Sequence, residues 1–320
     1  MTAMFISGSA LADYVAYPDQ SDSLTDASYA DSGYDASLSA SDYHGPYLSS
    51  SQNPKSYIPS QIQMEYLGHM GYKGGRGSAK LTSMGVQFNL FGHKGNKFAM
   101  HSDVGFRMAW FDSTGDGWMD ENRFYTVVLR MNGEYSLTQK TSLVMGFNPQ
   151  ISTDGDTWTG KAIYFGGFLG FKSEWSSNLK YGFGLSYSPQ FGSSPWLPFI
   201  SLSWQMNNKW RLEMEGTRLA MLQKVSDGFT WGPFVGIVTG AWSVKHDRST
   251  RQFQWTSGVA GISSSIGLGK WGTWRPRLTS DLGFSFSNVG KINTSTGRHE
   301  IYKRNYDSGF YMRLGLQFGF

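Results

Sequence analysis

The residues in this sequence with the most chemistry to offer are charged ones that recur on one side of alternating stretches. Arg107, Arg130, Lys172, Lys180, Arg211, Arg275, Arg277 and Arg313 stand on such rows, and Asp103, Glu134, Glu213, Glu215 and Asp281 stand against them. If these rows line an aqueous path, their fixed charge selects ions by sign, and the excess of bases favours anions. If instead they pair across the interior, they fill it. Both arrangements fit the residue types.

Two smaller groupings invite a chemical reading. His101 and Asp103 share one row, which allows a His–carboxylate contact. Ser102 points to the opposite face and no nucleophile motif accompanies the pair, so no catalytic residues are expected. Asp112, Asp116, Gly117 and Asp120 follow the early spacing of a calcium loop, but Arg123 stands where a bidentate Glu is required. A solvated acidic loop is the expectation, with no metal and no cofactor.

The elements that position these residues are strands. Met84, Val86, Phe88 and Leu90 alternate with Ser83, Gly85, Gln87 and Asn89. Tyr125, Val127, Leu129 and Met131 oppose Thr126, Arg130 and Asn132, and Leu179, Tyr181, Phe183 and Leu185 oppose Lys180, Gly182, Gly184 and Ser186. Successive side chains in a strand point to opposite faces, so each stretch has one apolar and one polar or small face. One such match is weak, and the repetition carries the inference. The chain ends in the same pattern: Phe310, Met312, Leu314, Leu316, Phe318 and Phe320 on one row, Tyr311, Arg313, Gly315, Gln317 and Gly319 on the other.

The ending resembles a known signal. Arg313, Gly315, Phe318 and Phe320 match the polar, glycine and hydrophobic positions of the assembly signal on the last strand of bacterial outer-membrane β-barrels. With the strand pattern upstream, the resemblance covers about residues 61–320, and it is to uncharacterised barrel families known as domains of unknown function. It implies a transmembrane antiparallel up-and-down barrel in the outer membrane. The implied partners are outer-membrane lipid and the barrel-assembly machinery. No catalytic residues come with it.

Composition agrees. Glycine numbers 40, aromatics make 16% and charged residues only 16%, against about 25% charged in ordinary soluble domains. No run of apolar residues is long enough for a membrane helix. The absence of cysteine excludes disulfides and thiolate chemistry. Bases spread over many strands are not a nucleic-acid footprint.

The first 60 residues differ from the rest. Ala10-Leu11-Ala12 has the small-any-small form of a cleavage site, so residues 1–12 read as the back end of a secretory signal whose charged and apolar front is missing. Residues 13–60 carry Asp13, Asp19, Asp22, Asp26, Asp31, Asp35 and Asp42 among Ser, Ala and Tyr, with little to build a core, and read as a disordered acidic tail. These are the only charges before Lys55. The remaining 17 acids therefore face all 28 Lys and Arg, and residues 55–320 carry a net charge of +11.

Connections alternate between tight turns, such as 93–96, 138–140, 176–178 and 207–208, and longer polar stretches at 112–121, 153–160, 191–195, 245–250 and 288–303. Short turns on the periplasmic side and longer loops outside fit an even barrel of about fourteen strands, with about twelve as the alternative. The doubtful stretch is 216–228, where Leu219, Leu222 and Val225 have helical spacing; it is either a short strand or a small helix. Trp110, Trp175, Trp204, Trp210, Trp271 and Trp274 near strand ends suit interfacial girdles. The functional expectation is passive passage of small, preferably anionic solutes. A lipid-modifying or proteolytic barrel enzyme and a non-conducting structural or adhesion barrel are the alternatives.

Overall fold

A computed structural model describes residues 60–114, 122–158, 160–188, 196–246, 248–269, 275–297 and 299–319. The expected signal remnant, the acidic tail short of Ser60, most of the calcium-like loop, Trp271, Trp274 and Phe320 lie outside these residues.

The described chain is almost entirely strand. In order these are β1 (Ser60–Gly71), β2 (Ser78–Lys94), β3 (Phe98–Thr114), β4 (Arg123–Ser136), β5 (Thr141–Thr153), β6 (Ile163–Ser176), β7 (Leu179–Tyr187), β8 (Trp196–Gln205), β9 (Trp210–Glu215), β10 (Arg218–Ser226), β11 (Phe229–His246), β12 (Ser249–Gly267), β13 (Arg275–Thr294), β14 (Glu300–Tyr306) and β15 (Gly309–Gly319). One 3-10 turn, Gly160–Ala162, precedes β6.

From β1 to β14 each strand pairs antiparallel with the next, and β15 pairs with β13 and closes the ring on β1, with Glu65 opposite Arg313. β14 pairs with the upper part of β13 and β15 with its lower part, so these two strands are halves of one interrupted crossing. The result is a closed barrel of fourteen crossings. Over the height shared by all strands, closure leaves no unpaired edge, which is what a β structure in lipid needs, because no water is there to satisfy exposed N–H and C=O groups.

The stretch at 216–228 is the strand β10, paired on both sides, with Leu219 and Met221 on the outer row. The ladder of β9 and β11 overrides the helical spacing of its leucines. Gly216, at a φ of 53°, makes the tight turn before it. Residues 245–250 and 288–303 are not mainly loop. His246 pairs with Ser249 at the tip of a long hairpin, and β13 runs on to Thr294 before β14 begins at Glu300.

The outer surface carries an apolar belt on every side of the ring: Phe106, Phe147, Leu169, Phe183, Ile200, Leu219, Ile262, Leu282 and Leu314 are exposed. Trp175, Trp196 and Trp204 are exposed near strand ends. A soluble barrel would show polar outer rows. This belt and its rims match a lipid-facing surface.

The two ends of the barrel differ because the strands differ in length. β7, β8, β9 and β10 have 9, 10, 6 and 9 residues, whereas β11, β12 and β13 have 18, 19 and 20. β10 pairs with β11 only up to Gly236. Beyond that, the free edge of β11 crosses the ring and meets the end of β5 in a parallel bridge, Ser243 to Thr153. At the long-hairpin end the barrel therefore tapers, because β11 bypasses β6 to β10.

Candidate functional site

The interior of the taper is a hydrophobic core. Phe111 on β3 and Phe124 on β4 point inward and meet Trp242, Phe253 and Trp255 of the inward-leaning β11–β12 hairpin. Phe124 stacks on Trp242 with centroids 4.8 Å apart, and Trp255 continues the cluster to Tyr306 at 5.4 Å. All of these rings are buried. Fully buried aromatic rings give large burial energy plus pairwise ring contacts of about 0.5–1.5 kcal/mol each, so this end of the lumen is closed by packed side chains.

A small polar seam fastens the hairpin to β5. Asp154 donates its backbone N–H to the Ser243 carbonyl at 3.0 Å, and the Lys245 N–H donates to Asp154 Oδ2 at 2.6 Å. Ser243 Oγ donates to the Lys161 carbonyl at 2.7 Å, and the Tyr164 hydroxyl lies 3.1 Å from it.

Below the core lies a belt of paired charges. Arg107 donates to Glu65 Oε2 at 3.0 Å and to Ser83 Oγ at 2.7 Å, while Tyr311 donates to Glu65 Oε1 at 3.0 Å. Asp281 holds Arg313 in an ion pair and accepts from Arg218 at 3.3 Å. Because Arg313 stands in register with both Glu65 and Asp281, acid and base alternate along the wall. On the next strands Arg130 donates to Asp103 at 2.6 Å, and His101 Nε2 lies 3.4 Å from the same carboxylate. Arg130 and Asp103 are fully buried. Buried charges at this depth are held by geometry, and removing one partner strands the other.

The wall from β4 to β7 is different. Asn132 and Asn148 are each 1% exposed, and their side-chain amides have no hydrogen-bond partner among the described residues. Above them Thr126 and Ser152 share a 2.7 Å contact, beside Gln150. Below them, at the short-turn end, a cavity of about 200 Å³ is lined by Lys94, Lys97, Lys140, Lys172, Lys180, Glu134 and Glu174. A discontinuous polar track therefore lies along the inner wall between a lysine-rich cavity and the Ser243–Thr153 seam, with the buried Val128, Val144 and Phe168 among its members.

The sequence-predicted residues fall into separate places. Asp103, Arg107, Arg130, Asp281 and Arg313 are in the buried pairs, and Glu134, Lys172 and Lys180 come together at the cavity. Arg211 and Glu213 pair with each other on β9 at 2.6 Å. Arg277 donates to Ser265 at 3.0 Å, and Arg275 is exposed where β13 begins. Ser102 pairs with Met131 on the outer row, away from the His101–Asp103 contact. Gly315 has an evident reason: a Cβ there would come 2.5 Å from Thr279 Oγ1. Phe318 pairs with Ser60 and Pro276 where the ring closes.

The family comparison adds an identity. A model described as a domain of unknown function (DUF6268) matches residues 50–319, which takes in every strand of the barrel. The chain belongs to the DUF6268 family. No curated protein matches this DUF6268 sequence. Among solved structures it is similar to an outer membrane channel from Pseudomonas putida F1, with 9% identity over 84% of this chain and 98% of that one, at a TM-score of 0.41. It is also similar to the toluene transporter TodX from Pseudomonas putida, with 8% identity over 83% and 92% of the two chains and a TM-score of 0.34. LpxR from Salmonella typhimurium gives 8% identity over 82% and 100%, with a TM-score of 0.35. These low values say nothing of what the DUF6268 barrel conducts or transforms.

Several residues inside the DUF6268 barrel lie beyond the charged rows read from the sequence. Glu65 sits on the row Gln61, Gln63, Glu65, whose alternation marks it as inward. Arg218 lies in the stretch with helical spacing, which masked its inward position. Lys94, Lys97 and Lys140 lie in tight turns, where strand parity gives no direction. Trp242 and Trp255 look like any other strand tryptophans until β11 is seen to cross the ring.

Proposed function

We propose that this chain is an integral outer-membrane β-barrel that passively admits small, preferably anionic solutes, and that the described conformation is closed at its outer end. The short-turn end is then periplasmic and the tapered end extracellular. The observation that carries the reading is the lysine-lined cavity at the periplasmic end of the lumen, whose excess of positive charge gives the anion preference.

The proposed path does not use the charge belt, whose members neutralise one another. It follows the polar track and leaves at the Ser243–Thr153 seam. That seam is held by a few hydrogen bonds and separates more easily than the aromatic core beside it. We assign no catalytic role. The His101–Asp103 contact is anchored by Arg130 within a buried pair, which suits a structural part.

A second reading has its own observation. The paired charges and the aromatic core are what a non-conducting structural barrel needs. Planar-bilayer recording on the purified chain separates the two. The pore reading expects discrete conductance steps and a reversal potential displaced towards anions in a salt gradient. A silent bilayer with correctly folded barrel would leave the structural reading.

A further inference from the structure

We propose that the lysine-lined cavity at the short-turn rim is a binding site for compact, multiply charged oxyanions of the phosphate class. The inference goes beyond conduction, since such a site works whether or not the barrel opens.

The charge balance is the first ground. Lys94, Lys97, Lys140, Lys172 and Lys180 line one cavity of about 200 Å³, and its acidic lining among the described residues is Glu134 and Glu174. Lys172 Nζ is 3.9 Å from Glu134 and Lys180 Nζ is 3.8 Å from Glu174, both at the outer limit of an ion pair. Lys172 and Lys180 are 8% and 4% exposed. Like charges gathered at one cavity, two of them sheltered from solvent, repel with reduced screening, and a bound polyanion relieves that repulsion. Charge-assisted hydrogen bonds from ammonium to phosphate oxygen are about twice as strong as neutral ones.

The second ground is that the site is braced before any ligand arrives. Two turns are tied to the neighbouring ends of β4 and β6 by backbone hydrogen bonds. Gly95 donates to the Phe98 carbonyl at 2.7 Å, closing the turn that carries Lys94 and Lys97. Ser136 donates to the Lys97 carbonyl at 2.7 Å, tying that turn to β4. Glu174 donates to the Lys140 carbonyl at 2.8 Å, tying the β4–β5 turn to β6. Thr138 Oγ1 accepts from the Lys140 and Thr141 N–H groups at 3.1 and 3.0 Å and fixes that turn's shape. The backbone that carries the five lysines therefore needs little ordering, which lowers the cost of binding. Lysine suits the task, because its ammonium is a compact point charge with rotatable donors that adapts to a tetrahedral oxyanion.

The test is calorimetric titration of the full chain in detergent micelles with pyrophosphate, with chloride holding ionic strength constant. Saturable binding is expected, weakened tenfold or more in K172Q/K180Q and in K94Q/K97Q/K140Q. The second variant alters only turn or rim residues, so it remains informative if the first fails to assemble. K224Q/K291Q removes lysines paired elsewhere, with Asp227 and Glu300, and should bind like the parent. No saturable binding by the parent, or an equal loss in K224Q/K291Q, overturns the site. Tighter binding of citrate than of pyrophosphate overturns its assignment to phosphate chemistry.

Discussion

Ser243 of β11 and Thr153 of β5 stand opposite each other in a parallel bridge, although β6 to β10 separate their strands around the ring. This contact marks the asymmetry that the unequal strand lengths create. Where β11 leaves β10 behind and reaches β5, a wide polar barrel becomes a narrow one with an aromatic interior.

The seam can be tested by locking it. The chain has no cysteine, so T153C/S243C introduces a lone pair of thiols at adjacent backbone positions. Oxidation should close a long loop and stabilise the fold by about 2–4 kcal/mol, read as a higher heat-modification temperature on gels. If solutes leave at the seam, conductance should fall on oxidation and return with reductant. Identical conductance in both redox states would remove the seam as the exit.

Trp242 fills the middle of the aromatic core between Phe124 and Phe253. Trp242→Ala should cost about 3–5 kcal/mol and loosen the closed end. The expected readout is a lower unfolding midpoint together with larger or more frequent conductance steps. A destabilised variant with unchanged conductance would show that the core is structural only.

Arg130 and Asp103 make an ion pair at 2.6 Å in which both side chains are fully buried. Removing one partner should cost about 3–5 kcal/mol, while replacing both with apolar residues of similar volume should cost far less. Comparison of Asp103→Leu, Arg130→Met and the double variant in urea unfolding checks this. Additive losses would mean the two charges do not depend on each other.

Lys97 is a better probe of ion selectivity than Arg107 or Arg130, because it lines the cavity where the proposed path begins, whereas reversing Arg107 or Arg130 would set acid against acid inside the belt. Lys97→Glu should move the reversal potential towards cations. A reversal potential equal to the parent's would exclude Lys97 from the path.

The last strand carries the assembly prediction. Phe310 and Leu314 are exposed on its outer row, and Gly315 fits against Thr279 inside. Deleting Phe320 should sharply lower membrane insertion in cells, measured by fractionation. Leu314→Arg, which puts a charge on the lipid face, should destabilise the barrel by up to about 2–4 kcal/mol. Normal membrane levels of both variants would contradict a lipid-facing closing strand.

The sequence by itself determined that this chain is an antiparallel barrel with an apolar outside. Strand parity is a local property, so Arg107, Arg130, Asp281 and Arg313 can be placed inside from their neighbours alone. What those residues meet there is decided by register and by strand length, which no single strand encodes. Whether Arg107 faces water or Glu65 depends on how β1, β2 and β3 line up. The lysine cavity needs three turns brought side by side, from residues 94–97, 138–140 and 172–180. The closed end depends on β10 stopping where β11 continues, because a strand left without a neighbour must find another partner for its backbone groups. Only the closed ring decides which partner that is.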